Sequence, residues 1–449
     1  MSNEYRAMKS WALSLLVLGS CTKPNPASCL DDFCSDPALP FCDVDGSIGG
    51  IPDTCIAVEC MPGELQGCRG DNALICSETG TDIDETACEF GCGETGCLPC
   101  NTPDCQPAEK HIIPKFVPTA CDDLATTSLD VAEDTTFDTS NDETCSAIVT
   151  QTTGPDICVV HHESITIASN RTLRVTGERA IALVADREFA VGGIIDASAD
   201  GDKNGPGGGS RSSGMGGTVV NNIDVVAGGG GAGNRTRGGN GANETTNGGV
   251  ANGGDAELNQ TTLDELLAGP QAAKSATGAV SAGSGGAMTL ICCRCELSIT
   301  GTLDANGEGG KGQTQSFGTP ALQFAPSGGG AGGNIVLQGM QISVEGQVFS
   351  NGGGGGGGAG GGNILGDNGE KGRRSAQCAN GAPAPGGGLG GKGGCAGSPP
   401  GVGVAATSPG AGGGSTGFLI TFTPSGTEPE LTPFAVSPAF EPNRTVPTN

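Results

Sequence analysis

The stretch 287-AMTLICCRCELSITGTLDANGEGG-310 carries the pattern on which the fold prediction depends. It opens with a short apolar segment and continues with Leu297-Ser-Ile299-Thr-Gly301, in which apolar and polar residues alternate. It ends in a turn rich in Asp, Asn and Gly. Because alternation with a period of two is typical of a half-buried β-strand, the stretch predicts two strands, a glycine bend and a third strand.

The same order of segments occurs again along the chain. Pieces of the form apolar, x, β-branched, x, Gly lie at 173–177, 189–193, 297–301 and 342–346. Short apolar strands are predicted at 180–185, 287–292, 333–338 and 417–422. A recurring unit of this size is typical of stacked coils. We therefore predict an all-β fold: a right-handed parallel β-helix-like solenoid with long Gly-rich loops. The alternative is a β-sandwich, which the long connections disfavour because hairpins need short turns.

Glycine accounts for 83 of the 449 residues and is concentrated after residue 192. The glycine-rich excursions at 201–254, 307–333 and 352–416 are expected to leave the solenoid at one corner. They are either flexible or extended three-fold glycine strands laid side by side. Cys378 and Cys395 are expected to staple the last excursion.

The N-terminus has the layout of an export signal. Arg6 and Lys9 precede an apolar run that ends at Gly19, which is too short to span a bilayer. "LGSC" at 18–21 resembles the lipobox of bacterial lipoproteins, which implies lipid attachment at Cys21. The alternative is an ordinary secretory signal in which Cys21 enters a disulfide.

Cysteine usage predicts an oxidising compartment. The chain has 21 cysteines, so 20 remain if Cys21 carries lipid, and twelve of these lie at 29–105. Such density is typical of a small domain stapled by disulfides rather than by a large core. Metal ligation is the weaker interpretation. In "ICCRCE" at 291–296, the three cysteines are expected to pair with Cys121, Cys145 and Cys158.

These features predict a division of the chain into six parts. They are a lipoprotein signal peptide (1–20), a tether (21–28), a Cys-rich module (29–106), a linker (107–118), the β-helix-like Gly-rich domain (119–423) and a Pro-rich tail (424–449).

Composition limits the possible partners. A net charge of -27 disfavours binding to nucleic acid, which needs basic patches. The only Trp and the only Tyr, Trp11 and Tyr5, lie in the predicted signal. Aromatic platforms for stacking sugar rings are therefore missing from the mature chain. The predicted contacts are the membrane, through the lipid anchor, and a cell-surface or matrix polymer.

No catalytic, cofactor-binding or metal-ligating residue is assigned from the sequence, and no cofactor is expected. His161 and His162 are neighbours in a predicted strand and point to opposite faces, so they are not expected to share a ligand. Asp196 and Asp304 hold equivalent places, where an Asp that begins a turn is normally structural. The segment 196–205 resembles the first part of a calcium loop but has Gly207 where such loops need Glu.

The layout resembles a group of uncharacterised Gly-rich bacterial surface lipoproteins. The residues that carry the resemblance are "LGSC" (18–21), "GGIIDASADG" (192–201), "GTLDANGEGG" (301–310) and "GAGGGSTGFLITF" (410–422). The resemblance implies a location at the outer membrane or cell surface and implies no reaction.

The predicted function is that of an extracytoplasmic, lipid-anchored surface protein with a structural, adhesive or matrix-interaction role. The alternative is a polysaccharide lyase or hydrolase acting on the face of the solenoid. Passive binding of ice or another surface by a flat glycine face is a third hypothesis, disfavoured by the lack of regular Thr arrays.

Overall fold

The computed structural model describes most of the chain after residue 109 and parts of the chain before it. The described residues are 41–43, 54–56, 61, 63–69, 72–77, 83–88, 92–93, 96–97 and 110–449, without 210, 221–223, 245–250, 257–263, 274–280, 316–322, 361–363 and 385. The chain forms two compact units, Met1–Glu109 and Lys110–Asn449.

The described part of the first unit consists of short antiparallel strands. Their bounds are β1 Phe41–Asp43, β2 Thr54–Ile56, β3 Leu65–Arg69, β4 Asn72–Cys76, β5 Ile83–Ala87, β6 Cys92–Gly93 and β7 Gly96–Cys97. The strands β3, β4 and β5 form one sheet, and β1–β2 and β6–β7 form two-stranded pairs. A disulfide joins Cys88 to Cys97.

The described residues of the second unit are also organised by strands, with one 3-10 turn at Asp142–Thr144 and no α-helix. The strands are β8 Leu129–Val131, β9 Thr135–Asp138, β10 Ala147–Val149, β11 Ile157–Ile167, β12 Thr172–Thr176, β13 Ala180–Val191, β14 Ile194–Asp196, β15 Ser212–Ser213, β16 Thr218–Val220, β17 Asp224–Ala227, β18 Gln271–Ala272, β19 Ala287–Ile299, β20 Thr302–Asp304, β21 Thr314–Gln315, β22 Gln323–Phe324, β23 Asn334–Val344, β24 Gln347–Phe349, β25 Phe418–Thr423, β26 Glu430–Leu431, β27 Ala435–Ser437 and β28 Arg444–Thr445. No described helix is both long and apolar enough to cross a membrane.

Two sheets contain the longest strands. The first sheet has the order β10-β11-β13-β19-β23-β25-β28, with β8 and β26 paired at its sides, and only β10 runs antiparallel to its neighbour. The second sheet has the order β27-β24-β20-β14-β12-β9, and all its strands are parallel.

Apolar columns between the two sheets form the main core. Leu183, Leu290 and Leu337 share one register position of the first sheet, and Ile195, Leu303 and Val348 share one of the second. The opposite face of the first sheet is also covered, by Ile112, Phe116 and Val117 of the segment predicted to be a linker. Because parallel strands buried on both faces read as continuous apolar runs, this explains why "AIALVA" and "AMTLIC" do not alternate.

A β-bulge lies between the first two predicted strands of the repeated unit. The segments 180–185 and 189–191 belong to one strand, β13, and the register shifts between Ala185 and Phe189. Strands β19 and β23 shift at the corresponding place. The pieces at 189–193, 297–301 and 342–346 are equivalent as predicted, but 173–177 lies in the second sheet, and Ile165–Ile167 takes its place in the first.

Close backbone contacts explain the glycine at the predicted bends. A Cβ at Gly301 would lie 1.9 Å from the carbonyl oxygen of Gly193, and one at Gly346 would lie 2.0 Å from that of Gly301. The bends therefore lie so close together that only glycine fits.

The prediction of a right-handed parallel β-helix-like solenoid with long Gly-rich loops is wrong. The strands form two parallel sheets, and these do not close into a coil. After β14, β20 and β24 the chain enters glycine-rich segments, which pair with one another instead of building a further sheet or leaving as loops. We call the described parts of these segments, within 201–256, 307–333 and 352–416, the glycine body.

Hydrogen bonds in the glycine body recur every third residue. Gly352, Gly355 and Gly358 donate to the carbonyl oxygens of Gly394, Gly391 and Gly388 at 3.1, 2.8 and 2.9 Å. The residues between them donate to two other segments of the same polypeptide, Gly353 to Gly330 and Gly354 to Glu370. A period of three is that of an extended polyproline II-like chain, which has no internal hydrogen bonds and must pair with neighbours. Of the two sequence alternatives, the extended glycine strands are therefore the correct one.

The run 352–358 lies at the centre of the glycine body. Its N–H groups donate to three other segments of the polypeptide, at 388–394, 327–330 and 367–370. It accepts from others, with donors Gly310, Gln313, Ala411, Gly414 and Ala382. A Cβ at any position of 352–358 would lie 2.8 Å or less from a backbone oxygen of a neighbouring segment. The unbroken run of seven glycines is thus a packing requirement of a buried chain.

Four disulfides tie the second unit together. They join Cys121 to Cys293, Cys145 to Cys158, Cys292 to Cys295, and Cys378 to Cys395. The expected pairing of 121 with the 291–296 cluster and the staple in the last excursion are confirmed. The expected pairing of Cys145 and Cys158 with that cluster is wrong, because the bulge in β19 brings Cys295 back to Cys292.

The C-terminal segment predicted to be a Pro-rich tail contributes the edge strands β26, β27 and β28. Val446 is buried against the outer face of the first sheet. The signal peptide, Cys21 and the tether lie outside the described residues, so those predictions stay predictions.

Candidate functional site

Charged side chains form a ladder on the outer face of the second sheet. Parallel pairing places Thr136, Arg174, Asp196, Asp304 and Phe349 side by side on consecutive strands. The equivalence of the two aspartates predicted from the sequence is therefore confirmed by the register.

Arg374, from the last glycine-rich segment, bridges the two aspartates. Its Nε lies 2.5 Å from Oδ2 of Asp304, and its Nη2 lies 3.1 Å from Oδ2 of Asp196. On the other side, Nη1 of Arg174 lies 2.7 Å from Oδ1 of Asp196. The cluster thus alternates cation and anion along the face of the sheet.

Ser198 extends this network to a lysine. Its hydroxyl donates to Oδ1 of Asp196 at 2.5 Å and accepts from Nζ of Lys371 at 2.8 Å and from Nη1 of Arg174 at 3.1 Å. Lys371 and Arg374 belong to the same segment, which therefore lies across the sheet and is held there by charge-assisted hydrogen bonds.

Both aspartates also begin turns, as the sequence predicts. Oδ1 of Asp196 accepts from the backbone N–H of Ser198 at 3.0 Å, and Oδ1 of Asp304 accepts from that of Asn306 at 2.9 Å. These bonds to the residue two positions on are those of an Asx turn.

The two carboxylates have opposite pKa shifts. Burial raises the pKa of Asp304, whose side chain is 1% exposed, and the charge of Arg374 opposes this only in part. Burial also acts to raise the pKa of Asp196, but hydrogen bonds from Ser198 and the charge of Arg174 outweigh it and hold this pKa below its usual value.

We expect Arg374→Met to destabilise the protein by about 3 kcal/mol at neutral pH, because it leaves the buried carboxylate of Asp304 without a cation. The raised pKa of Asp304 sets the sign of the pH dependence. The folded state takes up this proton more readily than the unfolded state, so the deficit shrinks as the pH falls through the folded pKa. Denaturant unfolding at neutral and acidic pH measures it.

The matched control is Arg373→Met, at the neighbouring position. Arg373 pairs with Glu370 three residues before it, and both side chains are about one-third to one-half exposed. Such a pair contributes about 0.5 kcal/mol. Equal losses for both variants at every pH would refute a bridging role for Arg374.

A second charged cluster lies at the bulge of the first sheet. The carboxylate of Asp186 is fully buried and contacts Nη1 of Arg294 at 3.1 Å, Nε2 of His161 at 3.0 Å and the backbone N–H of Ala125 at 2.7 Å. All its oxygens are therefore bonded within the protein. His162 instead contacts Thr127, so the two histidines do not share a site, as predicted.

Three oxygen-bearing side chains of the calcium-loop segment already have partners. Asp196 binds two arginines, Ser198 is fully bonded, and Oδ1 of Asn204 accepts from the N–H and the hydroxyl of Ser284 at 2.8 and 3.1 Å. Among the described residues, no group of three or more His, Cys, Asp or Glu is arranged to hold a metal ion. The geometry does not fit the calcium hypothesis.

An open cleft of about 780 Å³ lies beside the charged ladder. One wall is the end of β12 with Arg174 and Thr176, continued by Gly177 and Glu178. The other wall is the turn that follows β14. The remaining lining residues are Pro155, Asp200, Lys203, Asn204, Gly208 and Gly209.

Sequence reasoning missed Arg174, Lys371 and Arg374. The signal for Arg174 was present, because Leu173 and Ile195 pair in register and place Arg174 beside Asp196. No signal located Lys371 and Arg374, since their segment reads as a glycine-rich excursion.

No family model, no curated protein and no solved structure matches this chain. Its function has to be argued from its own residues.

Proposed function

We propose that this chain is a non-enzymatic, lipid-anchored surface protein outside the cytoplasm, with a structural or adhesive role. The observation that carries this proposal is the pairing of all eight cysteines after residue 110 in disulfides. Complete pairing is expected where thiols oxidise and stay oxidised, as in secreted and surface proteins.

The closed charge networks support a role without catalysis. Asp196, Asp304 and Asp186 each form an ion pair with at least one arginine. Lys371 and Ser198, which lie beside the ladder, are hydrogen-bonded to each other. A general acid or base needs a proton-transferring atom within reach of substrate. In these clusters the carboxylates serve the structure.

The glycine body supports a mechanical role. Its segments pack mainly by backbone contacts, so it holds few side chains with rotamer freedom, and its hydrogen bonds run to several neighbouring segments. A body of this kind, stapled by Cys378–Cys395, is a stiff support for surface contacts.

The proposal is tested by the mass and the location of the protein in its native host. We expect a mature chain that begins at a lipid-modified Cys21 and fractionates with the outer membrane. Reduction should add two protons per disulfide. Cys21→Ser should release the chain from the membrane while the disulfides of residues 110–449 persist. A soluble, unlipidated wild-type chain would refute the anchored role.

The second candidate function is a polysaccharide lyase or hydrolase, and one observation favours it. The ladder brings two carboxylates with divergent pKa values beside Arg174 and Lys371, and such divergence is typical of acid–base pairs. Release of reducing ends or unsaturated uronates from a polysaccharide panel, abolished in Asp196→Asn, would establish it. A wild-type protein without such activity would exclude it.

A further inference from the structure

Both walls of the cleft beside the ladder present unpaired charges. The side chains of Glu178, Asp200 and Lys203 are exposed there, and no described residue forms an ion pair with them. These groups differ from the ladder charges, which are bonded within the protein. They are the part of this surface that is available to a ligand.

The backbone of the cleft is fixed rather than loose. Asp200 and Lys203 exchange two backbone hydrogen bonds of 3.0 Å, and the N–H of Gly207 donates to the carbonyl of Gly177 at 3.1 Å. The N–H of Gly201 donates to Glu308 at 3.0 Å. A site with a preset shape loses little conformational freedom on binding.

Gly209 and the amide of Asn204 lie side by side in the lining of the cleft. A Cβ at Gly209 would lie 2.9 Å from Nδ2 of Asn204. Since Ser284 occupies Oδ1 of the same amide, Nδ2 is left as a donor toward the cleft. Gly209 has φ +92°, a conformation that also favours glycine.

We propose that this cleft binds an uncharged saccharide, a chain of neutral sugar residues. Its lining offers carboxylate acceptors on Glu178 and Asp200 and donors on Lys203 and Asn204. A sugar hydroxyl donates one hydrogen bond and accepts others, so vicinal hydroxyls match a mixed lining. A polyanion would be repelled by two carboxylates on a chain of net charge -27, and a polycation would meet the ammonium group of Lys203.

The size of the cleft agrees with this ligand class. A volume of about 780 Å³ lies within the range of small-molecule sites. None of the described residues that line the cleft has an aromatic side chain to stack on a sugar ring, so a single site should bind weakly. Many anchored copies on one cell would bind a polymer by avidity. The inference rests on the proposed surface role and names the chemistry of its partner.

The test is saturation-transfer NMR on the full-length protein in a detergent that lacks a sugar head group. The probes are neutral trisaccharides of glucose, mannose, galactose and xylose, with trigalacturonate and a chitosan trimer as charged counterparts. We expect transfer to at least one neutral probe at an intensity that added salt does not change. Asp200→Ala/Lys203→Ala should weaken that binding about tenfold or more.

The matched control removes the same two charges elsewhere, in Asp367→Ala/Lys392→Ala, and should bind like the wild type. Glu178→Ala is a second cleft variant, on the other wall, in case the turn tolerates no change. Absence of transfer to every neutral probe, equal binding by the cleft variants, or salt-sensitive binding of trigalacturonate alone would each overturn the inference. Failure of anchoring in the fractionation test would leave these NMR results unaffected, so the two failures are distinguishable.

Discussion

Gly356→Ala is expected to lower the free energy of unfolding by about 3 kcal/mol or more, although it adds a single methyl group. A Cβ at this position would lie 2.0 Å from the carbonyl oxygen of Lys311 and 2.5 Å from its carbonyl carbon. Both are backbone atoms of a paired chain, so no side-chain rotation relieves the clash. Overpacking of an ordinary core costs about 1 to 3 kcal/mol. Here the methyl group must also push apart segments of the polypeptide that are hydrogen-bonded to each other.

The control for this prediction is Gly192→Ala, at a bend outside the glycine body. A Cβ there would lie 3.1 Å from the hydroxyl of Ser169, which can rotate away, and 3.3 Å from the carbonyl oxygen of Ile167, which requires a much smaller shift than at Gly356. We expect a loss below about 1 kcal/mol. Denaturant unfolding of both variants measures the difference. Similar midpoints for Gly356→Ala and the wild type would show that the run 352–358 is not packed between other chains.

Removal of the Cys121–Cys293 disulfide, in Cys121→Ala/Cys293→Ala, has the second large expected effect. The bond closes a loop with a sequence separation of 172 residues. In the chain-entropy model, release of so long a loop in the unfolded state costs about 5 kcal/mol. The bond also fixes the segment with Ile112, Phe116 and Val117 on the outer face of the first sheet.

The control is Cys292→Ala/Cys295→Ala, whose disulfide spans a separation of 3 residues. The same model gives about 1.5 kcal/mol for so short a loop. Thermal unfolding of the oxidised proteins ranks the two variants. If the short-loop variant were the less stable one, the long-range tie would not be the main covalent constraint.

The strand pattern was readable from the sequence because the inner face of each strand is a simple apolar column. Leu297 and Ile299 repeat the positions of Phe189 and Val191, and the bends at Gly301 and Gly346 follow from backbone proximity. The prediction of a closed solenoid was wrong. Alternation of apolar and polar residues specifies which strands pair within a sheet, but it does not specify how the segments that connect the sheets pack.

The sequence offered extended glycine strands only as one of two alternatives, the other being flexible segments. A run such as 352–358 has no side-chain periodicity, and its partners at 327–330 and 388–394 are distant along the chain. The same composition is compatible with a flexible linker. What decides between them is the set of hydrogen-bonding partners, which composition does not encode.

The charged ladder was half predictable. Asp196 and Asp304 were recognised as equivalent turn residues, and their register follows from the strands. Arg374 reaches them only because its segment pairs with the glycine body, where the N–H of Gly372 donates to the carbonyl of Gly307. A site assembled by a long-range segment of this kind leaves no local signature.

Amide hydrogen exchange of residues 352–358, followed by NMR on the oxidised protein, tests the central claim most directly. If these glycines form the centre of a packed body, their N–H groups are hydrogen-bonded to other segments of the polypeptide. They should then exchange as slowly as those of β19 and β23. Exchange at the rate of an unstructured peptide, with β19 still protected, would contradict the account.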